Sequence, residues 1–311
     1  MNQPAAKPIR PEPITRPDES AAIVSKPRLA VILTCFNRRQ NTLDCLSALE
    51  ANVNLDRIQL SAVLVDDGST DGTADAVRAA FPWVQVVVTP GNLYWCRGMH
   101  MAFEIAMKDD HDYYLWLNDD TMLSPIAIAR LLKDEAFLRR EYGQPAIVVG
   151  STVDARTGEV SYGGVLRAQG MRRTRFVPVL PGDAPRKCDS MNGNIVLIPR
   201  EVAQVVGNLD AAFEHAMGDT DYALRAGQLG VGVWVGSGVF GTCSDNPQTG
   251  TFNDASLPLA QRWKQIMSRK GLPWRSWLVL TRRHTGPFWP LYFLWPYVNV
   301  IVGPSIRRIR R

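Results

Sequence analysis

The sequence lacks the signatures of several protein classes. Its five cysteines are scattered along 311 residues with no CxxC pair, and no cysteine–histidine spacing suits a structural zinc site. An odd number of scattered cysteines predicts reduced thiols in a cytoplasmic protein. Residues 1–27 carry repeated prolines and charges and no continuous apolar stretch. We therefore expect a disordered leader there rather than a secretory signal.

What is present fits a folded protein of moderate charge. The hydrophobic share of 46% is typical of a chain with a real core, and the length suits one large α/β domain or two small ones. The net charge of +5 is concentrated at the C-terminus, where four arginines follow an aromatic, apolar stretch: Arg307, Arg308, Arg310 and Arg311. This arrangement favours membrane lipid over nucleic acid as an anionic partner.

Helical and strand-like segments alternate from residue 28 onward. Apolar strands over 29–33 and 60–65 flank a helical pattern over 42–51, which predicts a βαβ unit with parallel strands. The pattern continues with predicted helices over 73–80, 99–107 and 125–140 and strands over 84–88, 113–117, 146–149 and 195–198. Such alternation predicts an α/β fold: a mostly parallel, Rossmann-like sheet with helices on both faces.

Three of these strands end in polar clusters, at residues 34–37, 66–71 and 118–120. Ligands of open α/β sheets bind beyond the carboxyl ends of the strands, so these clusters are candidate site segments. The adjacent carboxylates of Asp119 and Asp120 repel one another unless a cation compensates, and oxygen ligands suit Mg²⁺ or Mn²⁺. The alternative interpretation of these segments is a set of ordinary turns and helix N-caps.

Four segments in this order, VILTCFNR, VLVDDGSTDGT, GNLYWCRGM and YLWLNDDTML, resemble the family 2 glycosyltransferases of the GT-A fold over about residues 28–241. The resemblance implies an inverting enzyme that moves a sugar from a UDP- or dTDP-type donor onto a hydroxyl of a saccharide or lipid-linked saccharide. It also implies Mg²⁺ or Mn²⁺ as cofactor and a role in the synthesis of bacterial surface polysaccharide.

The same resemblance implies roles for residues on the donor side. Asp120 would ligate the metal, and Asp119 would contact the metal or the ribose. Arg97 would lie near the diphosphate or the sugar, although it is also compatible with an ordinary surface arginine. The nucleobase would be contacted by Thr34, Phe36 and Asp67. The remaining donor-site candidates at the strand ends are Asn37 and Asn118.

On the acceptor side, the resemblance assigns the general base to Asp219, at the start of a helix that continues with Asp221 and Arg225. A helix N-cap is the alternative role for Asp219. Asn192 and Gly193, with Asn194, resemble the family's acceptor-side loop. The sequence departs from the family in two ways. Gly218 stands where many relatives have Glu, and the segment directly after Val235, residues 236–243, contains no histidine, so His215 is a substitute candidate.

Residues 288–304 are aromatic and apolar, with three prolines that argue against a transmembrane helix. Their tryptophans and tyrosines, followed by arginines, are typical of an interfacial membrane anchor, and packing on protein is the alternative. We therefore divide the chain into a leader (1–27), a catalytic domain (28–245, with halves 28–123 and 124–245) and a C-terminal helical extension (246–311).

Two other functions fit parts of the sequence. One is an inactive GT-A domain that serves as a scaffold or binding subunit, although Asp119, Asp120 and Asp219 are all retained. The other is a sugar nucleotidyltransferase, whose sheet would also carry metal-binding carboxylates. Such enzymes have a glycine-rich basic loop after the first strand, and residues 34–38 lack it.

Overall fold

The structure is a computed structural model that describes residues 26–52, 55–171, 173–244, 250–254 and 256–309. Nearly all of the expected leader, residues 1–25, lies outside the described residues. The strands are β1 (Arg28–Cys35), β2 (Gln59–Asp66), β3 (Val84–Val88), β4 (Tyr113–Leu117), β5 (Met122–Leu123), β6 (Ala146–Val153), β7 (Val160–Tyr162), β8 (Gly164–Arg167), β9 (Phe176–Pro178), β10 (Arg186–Cys188), β11 (Ser190–Met191), β12 (Ile195–Pro199) and β13 (Gly232–Thr242). The α-helices are α1 (Arg39–Glu50), α2 (Thr73–Ala80), α3 (Tyr94–Ala106), α4 (Ala127–Tyr142), α5 (Arg200–Val206), α6 (Gly218–Gln228), α7 (Leu259–Ile266), α8 (Trp274–His284) and α9 (Trp289–Ile309).

Eight strands of the main sheet follow one another in the order β10-β13-β6-β12-β4-β1-β2-β3. The first four strands of the chain are parallel, as the alternation predicts, and β6 is parallel to β13. β12 lies between β4 and β6 and is antiparallel to both. The α/β, Rossmann-like fold is therefore confirmed, with a mixed sheet in its second half. A second sheet contains β11, β8 and β9.

The main sheet is covered on both faces, and β4 shows how the sequence achieves this. Tyr114 and Trp116 point to one face, where Trp116 packs against Phe103 of α3. Leu115 and Leu117 point to the other, with the buried residues of α1 and α4. Side chains alternate along a strand, so a strand that is apolar at every position must be buried on both faces.

The helix α3 begins five residues earlier than the apolar spacing predicts, at Tyr94 rather than Met99. The carboxylate of Asp67 accepts hydrogen bonds from the backbone N–H groups of Leu93 and Tyr94, at 3.0 and 2.8 Å. The first N–H groups of a helix have no partner within it, and a carboxylate there satisfies them. The stabilising residue is 27 positions away in sequence, so no local pattern reveals it.

The described part of the C-terminal extension is helical, and α8 packs on α9. Trp277 donates from its indole N–H to the carbonyl of Phe293 at 3.1 Å. The helix α9 continues through Pro296, whereas the sequence suggested an interrupted segment. Among the described residues, no helix has the length and apolar character needed to cross a bilayer.

Candidate functional site

Three polar segments meet at one edge of the main sheet because of strand register. Cys35 at the end of β1 is paired with Asp66 at the end of β2, and Ile32 is paired with Trp116 near the end of β4. The residues that follow these strands therefore share an edge, as expected for the carboxyl ends of parallel strands.

At this edge, Arg38 bridges the two aspartates that follow β4. Its Nη1 donates to Asp120 Oδ2 at 2.6 Å and to Asp119 Oδ1 at 3.2 Å. Asp119 is buried, and its Oδ2 has no hydrogen-bond partner. Burial, with the neighbouring charge of Asp120, raises the pKa of Asp119 to about 7, and the guanidinium of Arg38 opposes this rise. The site thus concentrates negative charge that a single cation only partly compensates.

Cys243, which follows β13, completes this side of the cluster. Its thiol lies 3.6 Å from Asp120 Oδ1 and accepts a hydrogen bond from Asn194 Nδ2 at 3.4 Å. Burial and the charge of Asp120 raise the pKa of Cys243 to about 12. The thiol is therefore neutral at physiological pH and carries no thiolate to the site.

The end of β2 is occupied by structural hydrogen bonds. Asp67 holds Leu93 and Tyr94 at the start of α3 and also accepts a bond from Thr89. The neighbouring Asp66 accepts a bond from the N–H of Ser69 through Oδ1, whereas its buried Oδ2 has no partner. Asp66, rather than Asp67, has an unsatisfied carboxylate oxygen at this strand end.

The end of β1 has both buried and exposed candidates. The hydroxyl of Thr34 donates to the carbonyl of Val65 at 3.0 Å, and this residue packs against Gly98. Phe36 is 56% exposed, so its ring face is available to a ligand. Asn37 adopts a positive φ of 49°, and its side-chain oxygen accepts a hydrogen bond from the N–H of Thr70. Asn37 therefore ties the β1–α1 turn to the turn that follows β2.

A chain of contacts connects Asp219 to the aspartate pair. The Asp219 carboxylate accepts a hydrogen bond from the N–H of Gly193 at 3.0 Å. Gly193 abuts the Trp95 ring so closely that an added Cβ would lie 2.5 Å from it. The indole N–H of Trp95 donates to Asn118 Oδ1 at 2.7 Å, and Asn118 directly precedes Asp119. Burial raises the pKa of Asp219 above its usual value. A carboxylate of raised basicity thus lies in the same site as the aspartate pair.

The family model of glycosyl transferase family 2 matches residues 30–192, just over half of the chain. The chain belongs to glycosyl transferase family 2. The matched region contains the three strand ends, the aspartate pair and Asn192, whereas Gly193 and Asp219 lie beyond it.

Other comparisons give relatives of this family 2 chain and its fold. Uncharacterized proteins of Mycobacterium bovis and Mycobacterium tuberculosis are 27% identical to it over 155 residues, which cover 48% of this chain and 53% of theirs. The chain thus matches about half the length of these curated relatives. A mannosyltransferase from Pyrobaculum calidifontis, solved in complex with GDP-Man and Mn²⁺, aligns with a TM-score of 0.50 at 16% identity over 90% of this chain and 72% of that one. At this identity, the likeness bears on the fold alone.

Two residues that the family resemblance assigned to ligand contacts have protein partners instead. Arg97 donates from Nε to the carbonyl of Ala211 and pairs with Glu214, rather than with the aspartate pair. Asp221 is fully buried, and its carboxylate accepts bonds from Arg225, Arg283 and His284. The structure therefore places Asp221 behind Asp219, in a contact between α6 and α8, and not on an acceptor-facing surface.

Asn192 and His215 adjoin the contact chain, since Asn192 directly precedes Gly193 and His215 contacts Trp95. The backbone N–H of Asn192 donates to the carbonyl of Gly163, and its side-chain oxygen accepts a bond from the N–H of Gly163. His215 accepts a bond through Nδ1 from the N–H of Trp95 at 3.4 Å. Burial, with the nearby charges of Lys270 and Arg38, lowers the pKa of His215 to about 4, so the ring is neutral at physiological pH.

Four residues of the site were not assigned from the sequence: Arg38, Asp66, Trp95 and Cys243. Arg38 directly follows the β1 polar cluster, and Asp66 shares its turn with Asp67, so both had a local signal. Cys243 lies 123 residues from Asp120, and Trp95 lies 23 residues from Asn118. Only the folded sheet brings these last two to their partners.

The aspartate pair fits a hard divalent cation in its donor chemistry. Two carboxylates are adjacent, one oxygen of Asp119 is buried without a partner, and Arg38 already supplies a cation between them. Within the described residues, no group of three or more His, Cys, Asp or Glu side chains could hold a metal by itself. A metal at Asp119 and Asp120 would therefore need further ligands from a bound donor.

Proposed function

We propose that this family 2 protein is an inverting glycosyltransferase that moves a sugar from a nucleoside diphosphate donor of the UDP or dTDP type to an acceptor hydroxyl. The observation that carries the proposal is the contact chain that links Asp219 to Asn118 through Gly193 and Trp95. It joins a carboxylate of raised pKa to the aspartate pair, of which Asp119 is buried, in a single site. A base and a diphosphate site in proximity are what direct displacement at an anomeric carbon requires.

In this mechanism Asp219 accepts the proton of the acceptor hydroxyl as that oxygen attacks the anomeric carbon. The hydrogen bond that the N–H of Gly193 donates to Asp219 fixes the orientation of this carboxylate. Asp120, with Asp119, would hold Mg²⁺ or Mn²⁺, and the cation would supply positive charge to a departing diphosphate. The exposed ring of Phe36 offers a stacking surface to the base, and the free oxygen of Asp66 offers an acceptor to a base N–H.

The test is a transfer and donor-hydrolysis assay with a panel of UDP-, dTDP- and GDP-sugars, with Mn²⁺ or with EDTA. We expect turnover of a UDP- or dTDP-sugar that requires the metal and is lost in Asp120→Asn. The matched control is Asp75→Asn, which changes an exposed carboxylate on α2. Donor binding without any turnover across the panel would instead support an inactive binding subunit. Preferred turnover of a GDP-sugar would refute the donor assignment.

We further propose that the acceptor is lipid-linked and that the protein acts at the cytoplasmic face of a membrane in surface-polysaccharide synthesis. Support comes from an apolar stripe that begins at the residue before α9 and runs along that helix to Val302. Its members are all at least 38% exposed and recur at helical spacing: Phe288, Leu291, Leu294, Trp295, Val298, Ile301 and Val302. Aromatic and aliphatic residues followed by arginines in sequence suit an anionic leaflet.

Vesicle sedimentation tests this assignment. We expect binding to phosphatidylglycerol vesicles, weaker binding to phosphatidylcholine vesicles, and a loss of binding in a double variant, Leu291→Gln with Trp295→Gln. The control is Leu229→Gln, which removes another leucine that is more than half exposed and lies outside the stripe. A stable dimer in light scattering that the double variant dissociates, with no vesicle binding by the wild type, would refute the membrane assignment.

A further inference from the structure

A large basic cavity lies at the opposite end of the main sheet from the aspartate pair. Its volume is about 980 Å³, within the range of sites for small molecules. It is lined by the first residues of β13, whereas Cys243, which contacts Asp120, follows the last residue of that strand. Ten residues of extended chain separate Val233 from Cys243, or roughly 30 Å. The cavity is therefore separate from the proposed donor site.

Three cationic side chains and one carboxylate line this cavity. They are Arg167, Arg173 and Lys187, and the carboxylate is Asp189. Asp189 Oδ2 accepts a bond from the backbone N–H of Arg167. None of the three cations forms an ion pair with any described residue. The cavity thus holds an excess of positive charge that one carboxylate of a ligand would not balance.

Arg167 is held in place by backbone contacts. Its Nε donates to the carbonyl of Arg173 at 2.5 Å and its Nη2 to the carbonyl of His284 at 2.6 Å. Burial, and next the positive charge of Arg173, lower the pKa of Arg167 below its usual value. The two guanidinium groups repel each other, and an anion that accepts several hydrogen bonds would offset this repulsion. Arg167 is already held in position to bind such an anion.

We propose that this cavity is a second phosphate-binding site, which takes a diphosphate group through Arg167, Arg173 and Lys187. A diphosphate matches the excess of charge, and its oxygens can accept bonds from both guanidinium groups and from the amides of Gln169 and Gln228, which also line the cavity.

The position of the cavity indicates one source of such a group. Arg173 Nη1 lies near Gly286, where an added Cβ would be 3.6 Å away, and exposed Phe288 of the apolar stripe follows two residues later. The helix α6 runs from Asp219 to the cavity-lining Gln228, about 14 Å along its axis. The diphosphate of a lipid-linked acceptor would be held here while its saccharide extends toward Asp219. This assignment rests on the proposed function, whereas diphosphate binding itself does not.

Calorimetry with inorganic pyrophosphate and the full chain in EDTA tests the site. We expect saturable binding that Arg173→Gln and Lys187→Gln each weaken about tenfold. Arg186→Gln is the matched control, because Arg186 adjoins Lys187 on β10, bonds to the carbonyl of Leu180 and does not line the cavity. Unchanged affinity in both test variants, with thermal unfolding like that of the wild type, would refute the site.

Two further experiments distinguish the cavity from the donor site, and a lipid-linked diphosphate from a soluble one. Asp120→Asn should leave pyrophosphate binding in EDTA intact, and its loss in this variant would assign the binding to the donor site and overturn the proposal. Vesicles that contain a polyprenyl diphosphate should bind the wild type more tightly than matched phosphatidylglycerol vesicles, and Lys187→Gln should remove this difference. Pyrophosphate binding without such a difference would support the site for a soluble ligand and refute its assignment to the acceptor.

Discussion

Arg38 donates to Asp120 Oδ2 at 2.6 Å, so the chain itself supplies a cation to the aspartate pair. The same nitrogen lies 3.2 Å from Asp119 Oδ1. In a metal-free protein, this arginine balances two adjacent carboxylates, one of them buried. A divalent ion and Arg38 would compete for the same oxygens, which makes the arginine a determinant of metal affinity.

We therefore predict that Arg38→Gln destabilises the metal-free protein and tightens Mn²⁺ binding. Loss of the guanidinium leaves repulsion between Asp119 and Asp120 uncompensated, at a cost of about 1–2 kcal/mol for a half-exposed arginine. Chemical unfolding in EDTA measures the first effect, and the electron paramagnetic resonance signal of free Mn²⁺ measures the second. Arg39→Gln is the control, because it removes an adjacent exposed arginine that does not bridge the pair. Equal Mn²⁺ affinities in wild type and Arg38→Gln would contradict the prediction.

The replacement Asp219→Asn should lower transfer about 10²- to 10⁴-fold while donor binding stays near that of the wild type. The amide cannot accept the acceptor's proton, but the side chain keeps its size and its oxygen can still accept the bond from Gly193. Single-turnover rates, measured beside donor affinities from calorimetry, separate the two effects. Near-normal transfer by Asp219→Asn would exclude it as the base.

The pH dependence of transfer should also report Asp219. A base acts only when deprotonated, and burial raises the pKa of this carboxyl above its usual 3.8. Activity is therefore expected to be complete above the raised pKa and to fall as the pH decreases through it, starting at a higher pH than for an exposed aspartate. The profile of kcat/KM, recorded with saturating metal, provides the measurement. An acidic limb at or below the ordinary aspartate pKa would show that burial does not tune this group.

The first four strands were predictable from the sequence because each is largely apolar, as with the residues around Trp116, whereas β13 was not predicted because glycine and serine interrupt its apolar pattern. Adjacent polar clusters also identified the aspartate pair. The rest depended on contacts between distant residues. Nothing local marks Asp67 as the partner of the α3 N-terminus, or Asp221 as the partner of Arg283, 62 residues away. From the sequence, Asp221 was therefore assigned to the acceptor side. In the fold it is buried and bonded to Arg225, Arg283 and His284.

Arg283→Gln should destabilise the protein because it removes one of three partners of buried Asp221. Burial alone would raise the pKa of Asp221, but hydrogen bonds from His284, Arg225 and Arg283 lower it below its usual value. A lowered pKa contributes stability above the pKa of the unfolded state, and that contribution is lost as the pH falls through the folded-state value. We expect a loss of about 1–3 kcal/mol at pH 7. Urea unfolding at several pH values measures it, with the adjacent exposed Arg282→Gln as control.

Gly193→Ala tests whether the contact between Trp95 and the Asp219 loop assembles the site. The added Cβ would lie 2.5 Å from the Trp95 ring, so the ring must move, and its hydrogen bond to Asn118 should break. Overpacking of this kind costs about 1–3 kcal/mol. Transfer should fall more than stability explains, because Asp219 is bonded to the same Gly193. The control for stability is Gly227→Ala on α6, where an added Cβ meets no atom within 4 Å and a helical alanine should stabilise slightly; because Gly227 lines the basic cavity, it is not used as a control for transfer. Indole fluorescence and transfer rates that match the wild type in Gly193→Ala would show that the two halves of the site are assembled independently of this contact.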